Sequence, residues 1–94
     1  MNPKYKNYPV PKTSEQEVLL HLIVEGNVSI MDFGWLSGFR TRISQLQTHH
    51  GLFLERIFLN RRNKFGNVFR YAKHTLPENQ KEAAIQLYNQ LNKQ

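Results

Sequence analysis

Apolar positions at Phe39, Ile43 and Leu46, with His50 next in line, follow spacings of four, three and four. At about 100° per residue they share one narrow arc, which predicts a helix with a core-facing stripe. The run 28–51 around it reads as a helix, a tight turn and a second helix. Ser29 stands three residues before Asp32, the spacing of a helix cap, and Ser37-Gly38 breaks the apolar rhythm where a turn is needed. Upstream, Thr13 with Gln16 and Ser14 with Glu17 form overlapping caps for a helix over 13–25 whose stripe is Val18, Leu19, Leu22 and Ile23. Gly26-Asn27 supplies its left-handed stop. A short strand is expected over 27–30, and Met31, Phe33, Trp35 and Leu36 are too many large apolar groups for one stripe of a seven-residue helix. Trp35 is expected to be a core anchor, with stacking on a base as its functional alternative.

Past Gly51 the period changes from helical to alternating. The run 52–59, LFLERIFL, places Phe53, Ile57 and Leu59 on one side, and 67–75, NVFRYAKHT, sets Phe69 and Tyr71 against Arg70. Together they predict a hairpin joined by 60–66, a link with the Asn and Gly of a turn and the cations Arg61, Arg62 and Lys64. Pro77 opens a last helix, capped by Thr75 and Glu78, whose stripe is Ala84, Leu87, Tyr88 and Leu91. That stripe either docks on the same domain or pairs with its copy in a homodimer. Residues 1–12, with three prolines, three lysines and two tyrosines and no periodicity, read as an extended or disordered basic arm. Lys4, Lys6 and Lys12 would supply its charge. The expected divisions are therefore an arm at 1–12, a domain at 13–76 and a C-terminal helix at 77–94.

Composition narrows the class. Ninety-four residues suit one small domain, 39% hydrophobic content is globular, and the absence of cysteine excludes a disulfide framework and a thiolate zinc site. No run is long and apolar enough to span a membrane, and residues 1–12 do not resemble a signal peptide, so a cytoplasmic protein is expected. The net charge is +6, and between Arg40 and Lys73 eight Lys or Arg stand against a single Glu. Positive charge is thus concentrated on the second half of the helix pair and on the hairpin, which points to an acidic partner, nucleic acid foremost.

Candidate chemistry follows from the polar arc of the 39–50 helix. Thr41, Ser44, Gln45 and Thr48 carry hydroxyls and an amide, Arg40 and Arg42 flank them, and no carboxylate interrupts them. Polar residues opposite an apolar stripe describe most surface helices, but those usually mix charges. This inventory suits base edges and phosphates in a major groove: Thr41, Ser44, Gln45 and Thr48 as base readers, and Arg40, Arg42, Arg61, Arg62 and Lys64 as phosphate ligands. No cofactor is implied. His49 and His50 are adjacent and point about 100° apart on a helix, so they cannot jointly grip one metal, and His21 has no partner at a ligand-like offset. Without a visible nucleophile, a paired acid and base or a phosphate-binding loop, the expectation is a non-enzymatic protein.

The order of elements resembles the winged helix-turn-helix domain. Arg42-Ile43-x-x-Leu46, followed by Gly51 and an alternating hairpin, is similar to the signature of small helix-turn-helix proteins common in phages and other mobile elements. The resemblance covers about residues 13–76. It implies an α+β, mostly α fold of three helices plus a β-hairpin wing, with an added C-terminal helix. It also implies a recognition helix at 40–49, a wing at 60–67 and a sequence-specific double-stranded DNA-binding regulator. Thr48-His49-His50 depart from the family's charged residues. The alternative is a small basic protein-interaction module that modulates a host protein through the same surface, with Tyr5, Tyr8 and Phe65 as anchors.

Overall fold

The Thr13 hydroxyl accepts the Gln16 N–H at 3.2 Å, so helix α1 (Ser14–Glu25) starts at its expected cap, with Glu15 and Glu17 in the positive first turn. Gly26 ends it at φ +84°, a conformation that would strain any side chain. The computed structural model describes Tyr5 and residues 7–93. After α1 come β1 (Asn27–Ser29), α2 (Phe39–Thr48), β2 (Glu55–Arg62), β3 (Val68–Thr75) and α3 (Lys81–Asn92). This is a small α+β fold, three helices and a three-stranded antiparallel sheet among the described residues, ordered β1-β3-β2. No helix among them is long and apolar enough to cross a membrane.

The core forms where the helical stripes meet the inner end of the sheet. Val18, Leu19 and Leu22 from α1, Phe39, Ile43 and Leu46 from α2, Val28 from β1, and Ala84 and Tyr88 from α3 are buried together. The stripe of α3 is therefore occupied within its own chain. Residues 7–12 run without helix or strand along α3: Pro9 O accepts from the Tyr88 hydroxyl, Val10 O accepts from Asn92 Nδ2 at 2.8 Å, and Lys12 Nζ donates to Asn92 O at 2.6 Å. Lys12 is thus held against α3, while Lys4 and Lys6 lie outside the described residues.

The segment between β1 and α2 departs from expectation. Its cap bonds form, Ser29 N–H to Asp32 Oδ2 at 2.9 Å and Met31 N–H to Ser29 Oγ at 3.2 Å. No helix follows them. The backbone makes only i to i+3 turns, Asp32 to Ser29, Phe33 to Ile30 and Leu36 to Phe33. Phe33 is drawn into the core beside Phe39, ring centroids 6.0 Å apart, which turns Trp35 outward. Trp35 is 68% exposed and is not a core anchor. The expected helix-turn-helix pair is accordingly a run of turns followed by one helix.

The hairpin is shifted along the chain from its expected place. Residues 51–54 have no regular structure and Phe53 precedes the strand, so Arg61 and Arg62 fall inside β2 and the turn is 63–67. Asn63 closes that turn. Its Oδ1 accepts the N–H groups of Phe65 and Asn67, and Gly66 takes φ +85°. The last helix also starts later than expected. Thr75 ends β3 rather than capping a helix, Glu78–Gln80 form a 3-10 turn, and α3 begins at Lys81.

Candidate nucleic-acid interface

Strand pairing decides which hairpin residues can act together. Arg56↔His74, Phe58↔Ala72, Asn60↔Arg70 and Arg62↔Val68 are cross-strand partners on one sheet face, together with Val28 opposite His74. Glu55, Ile57, Leu59 and Arg61 share the other face with Thr75, Lys73, Tyr71 and Phe69. Alternation thus sends Arg61 and Arg62 to opposite faces. They cannot grip one phosphate run from a shared tip.

The first face looks onto α2. His74 meets Phe39 of α2, ring centroids 6.4 Å apart, and a groove of about 420 Å³ opens between helix and hairpin. Arg40, Ser44, Gln47 and Thr48 line it from α2, at relative positions zero, four, seven and eight, one flank of a helix. Arg56, Phe58, Ala72 and His74 line it from the sheet. The Arg56 and Arg70 guanidiniums lie 5.0 and 3.9 Å from the centroid of Phe58, whose ring is half exposed. With Arg62 further along the same face, four arginines surround this surface, and the one hairpin carboxylate, Glu55, points the other way.

The expected site residues separate across it. Arg40 and Ser44 are exposed at the groove, and Thr48 is there too with its hydroxyl donated to the Ser44 carbonyl at 2.8 Å. Thr41 is exposed on the same helix. Arg42 and Gln45 sit on the other flank, joined by a 3.0 Å bond from Arg42 Nη1 to Gln45 Oε1. There Arg42 borders a second hollow with Lys12, Glu15 and Gln16 at the start of α1, and its Nε is buried without a partner. Arg61 lies on the far sheet face, Arg62 donates to the Gly66 carbonyl at 3.2 Å, and Lys64 rests 5.1 Å from the Phe65 centroid in the turn. Sequence reasoning passed over Gln47, Arg56 and Arg70. The period of two through Arg56, Phe58, Asn60 and Arg62 was the available signal, but it acquires meaning only when β2 is registered on β3.

Two histidines gain partners that their neighbours in sequence could not offer. His50 Nε2 lies 2.9 Å from Glu15 Oε1, tying the end of α2 to the start of α1, and His21 Nδ1 lies 3.0 Å from the Asn27 carbonyl oxygen. Among the described residues no three His, Asp or Glu side chains gather as a metal-holding group.

His74 sits at the floor of the groove, almost fully buried, with Nδ1 lacking a hydrogen-bond partner. Burial, and secondarily the Arg56 guanidinium across the strand, push its pKa below the usual histidine value. A base whose folded-state pKa is depressed binds fewer protons folded than unfolded, so its contribution to stability is intact above about pH 6.5 and is lost as pH falls through the folded value. We expect urea unfolding of His74→Gln to lose less stability between about pH 7 and pH 5 than the parent does. Parallel pH profiles for the two proteins would exclude this role for His74.

No protein-family model, curated protein or solved structure matches the chain.

Proposed function

We propose that the protein is a winged helix, sequence-specific binder of double-stranded DNA in which α2 enters the major groove and the β2–β3 hairpin lies on the adjoining phosphates. One observation carries this reading: the α2 flank and the hairpin face beside it bear Arg40, Arg56, Arg62 and Arg70 and no carboxylate. Around so concentrated a positive field, the hydroxyls of Ser44 and Thr48 and the amide of Gln47 offer donors and acceptors to base edges. The β1-β3-β2 sheet order, with the long hairpin directly after α2, supports the winged helix assignment. Thr41 at the crest of α2 remains a candidate base reader, and Lys64 in the turn a fifth phosphate ligand. The role is that of a small regulator or accessory factor of a phage or mobile element.

If about five phosphates are neutralised, the log-log salt slope is roughly −4 to −5, and affinity falls several hundred-fold between about 50 and 200 mM salt. Fluorescence anisotropy with random-sequence duplex measures the slope, and selection from a random pool measures base preference. A slope near zero would end the DNA reading.

A protein-interaction module is the second reading, favoured by the exposure of Met31, Trp35 and Phe65. Tyr5 and Tyr8, expected as contact anchors, instead pack partly against the core. A stoichiometric complex with a protein partner, coupled with weak and sequence-indifferent DNA binding, is its signature.

A further inference from the structure

β2 is the outer strand of the sheet, and among the described residues no backbone hydrogen bond outside the hairpin involves 55–62. Its free edge is eight residues long, without proline or lysine, and its register with β3 runs unbroken. Proline, bulges and charged side chains, lysine above all, are the devices by which monomeric proteins blunt such an edge, and in β2 the charges Glu55, Arg56, Arg61 and Arg62 fall towards its two ends and leave the middle apolar. Its centre is Ile57, Phe58 and Leu59, with Ile57 and Phe58 about half exposed. The apolar stripe of α3 offers no comparable surface, because Ala84 and Tyr88 are fully buried in the chain's own core.

We propose that this edge pairs antiparallel with β2 of a second copy, on a two-fold axis through facing Phe58 residues. A two-fold perpendicular to an antiparallel ladder passes through a residue pair, so a symmetric pairing must set some residue against its own copy. Centring on Phe58 sets Glu55 against the copy's Arg61, Ile57 against Leu59 and Arg56 against Asn60, each twice. Glu55 and Arg61 are exposed, and neither forms an ion pair within the chain among the described residues. Centring on Leu59 instead opposes Arg56 to Arg62 and Ile57 to Arg61. Centring on Ile57 opposes Glu55 to Leu59. Of these three registers, only the Phe58-centred one pairs the acid with an arginine and apolar side chains with each other.

An axis perpendicular to the sheet returns each face onto itself, so both α2 grooves lie on the same side of the joined sheet. Resting on the DNA reading, this makes the preferred target an inverted repeat, one half-site per copy.

Sedimentation velocity of the full chain without DNA, from low to high micromolar concentration, tests the pairing. The expected result is a concentration-dependent dimer whose dissociation constant rises about tenfold or more in Glu55→Arg, which opposes like charges twice. Adding Arg61→Glu in the same chain restores the parental value. Circular dichroism checks folding, and if Glu55→Arg unfolds, Arg61→Glu alone breaks the same pair. A parent that stays monomeric overturns the proposal, as does a dimer that ignores both single reversals or that the double reversal fails to restore. Because no DNA is present, a monomer that still binds DNA overturns this pairing alone, whereas a dimer indifferent to DNA overturns the DNA reading alone.

Discussion

Replacing Tyr88 by alanine is expected to destabilise the protein by about 3–5 kcal/mol, the cost of removing a buried aromatic side chain from a core that cannot fully close around the cavity. Tyr88 is fully buried, and its ring meets Tyr8 edge-on with centroids 6.4 Å apart. Its hydroxyl donates to the Pro9 carbonyl, so one side chain joins α3 to both the core and the segment before α1. Small domains have only about 5–15 kcal/mol in total, so the variant should be close to unfolded. Tyr88→Phe keeps the ring and loses one hydrogen bond, and should cost about 1 kcal/mol. Urea denaturation of the three proteins separates these contributions. A Tyr88→Ala variant within about 1 kcal/mol of the parent would mean that α3 is an appendage rather than part of the cooperative unit.

Arg56 and Arg70 should carry the largest effect on DNA binding. Both lie on the sheet face beside α2 and both approach the Phe58 ring, which holds their guanidiniums in place before any phosphate arrives. Changing both to glutamine is expected to make the salt slope less negative by about 2 and to weaken binding on the order of a hundred-fold near 0.1 M salt. The control is Arg42→Gln with Lys73→Gln, which removes the same net charge from the far flank of α2 and the far sheet face. That pair should change affinity only through the long-range field, a few-fold at most at this ionic strength. Equal losses in the two double variants would show that the chain binds by net charge alone and that the groove is not the interface.

Local structure was legible where a signal and its partner lie within a few residues. The Thr13 cap, the Gly26 stop, the stripe of α2 and the alternation of the hairpin all operate over one turn or one strand pair. The segment after β1 shows where local signals stop being sufficient. Ser29 and Asp32 make their cap bonds, yet a cap only terminates a helix, and propagation needs successive i to i+4 bonds that this segment does not make. Phe33 gains more by entering the core against Phe39 and His21, ring centroids 6.0 and 5.4 Å away, than a short helix would return. Trp35 is exposed as a consequence of that choice.

The sequence alone determined the helical and strand periods, the caps and stops of α1, and the concentration of arginine and lysine against a single glutamate between residues 40 and 73. Those properties depend on neighbours along the chain or on simple composition. Tertiary structure alone decided which cations stand together on one surface. A helix period divides Arg40 from Arg42, and a strand period divides Arg61 from Arg62. Only the pairing of β2 with β3, and the seating of His74 against Phe39, bring Arg56 and Phe58, the ring that Arg70 covers, beside Ser44 and Gln47. The physical reason is that a groove belongs to two elements at once, and its contents follow from register and packing rather than from nearness in sequence.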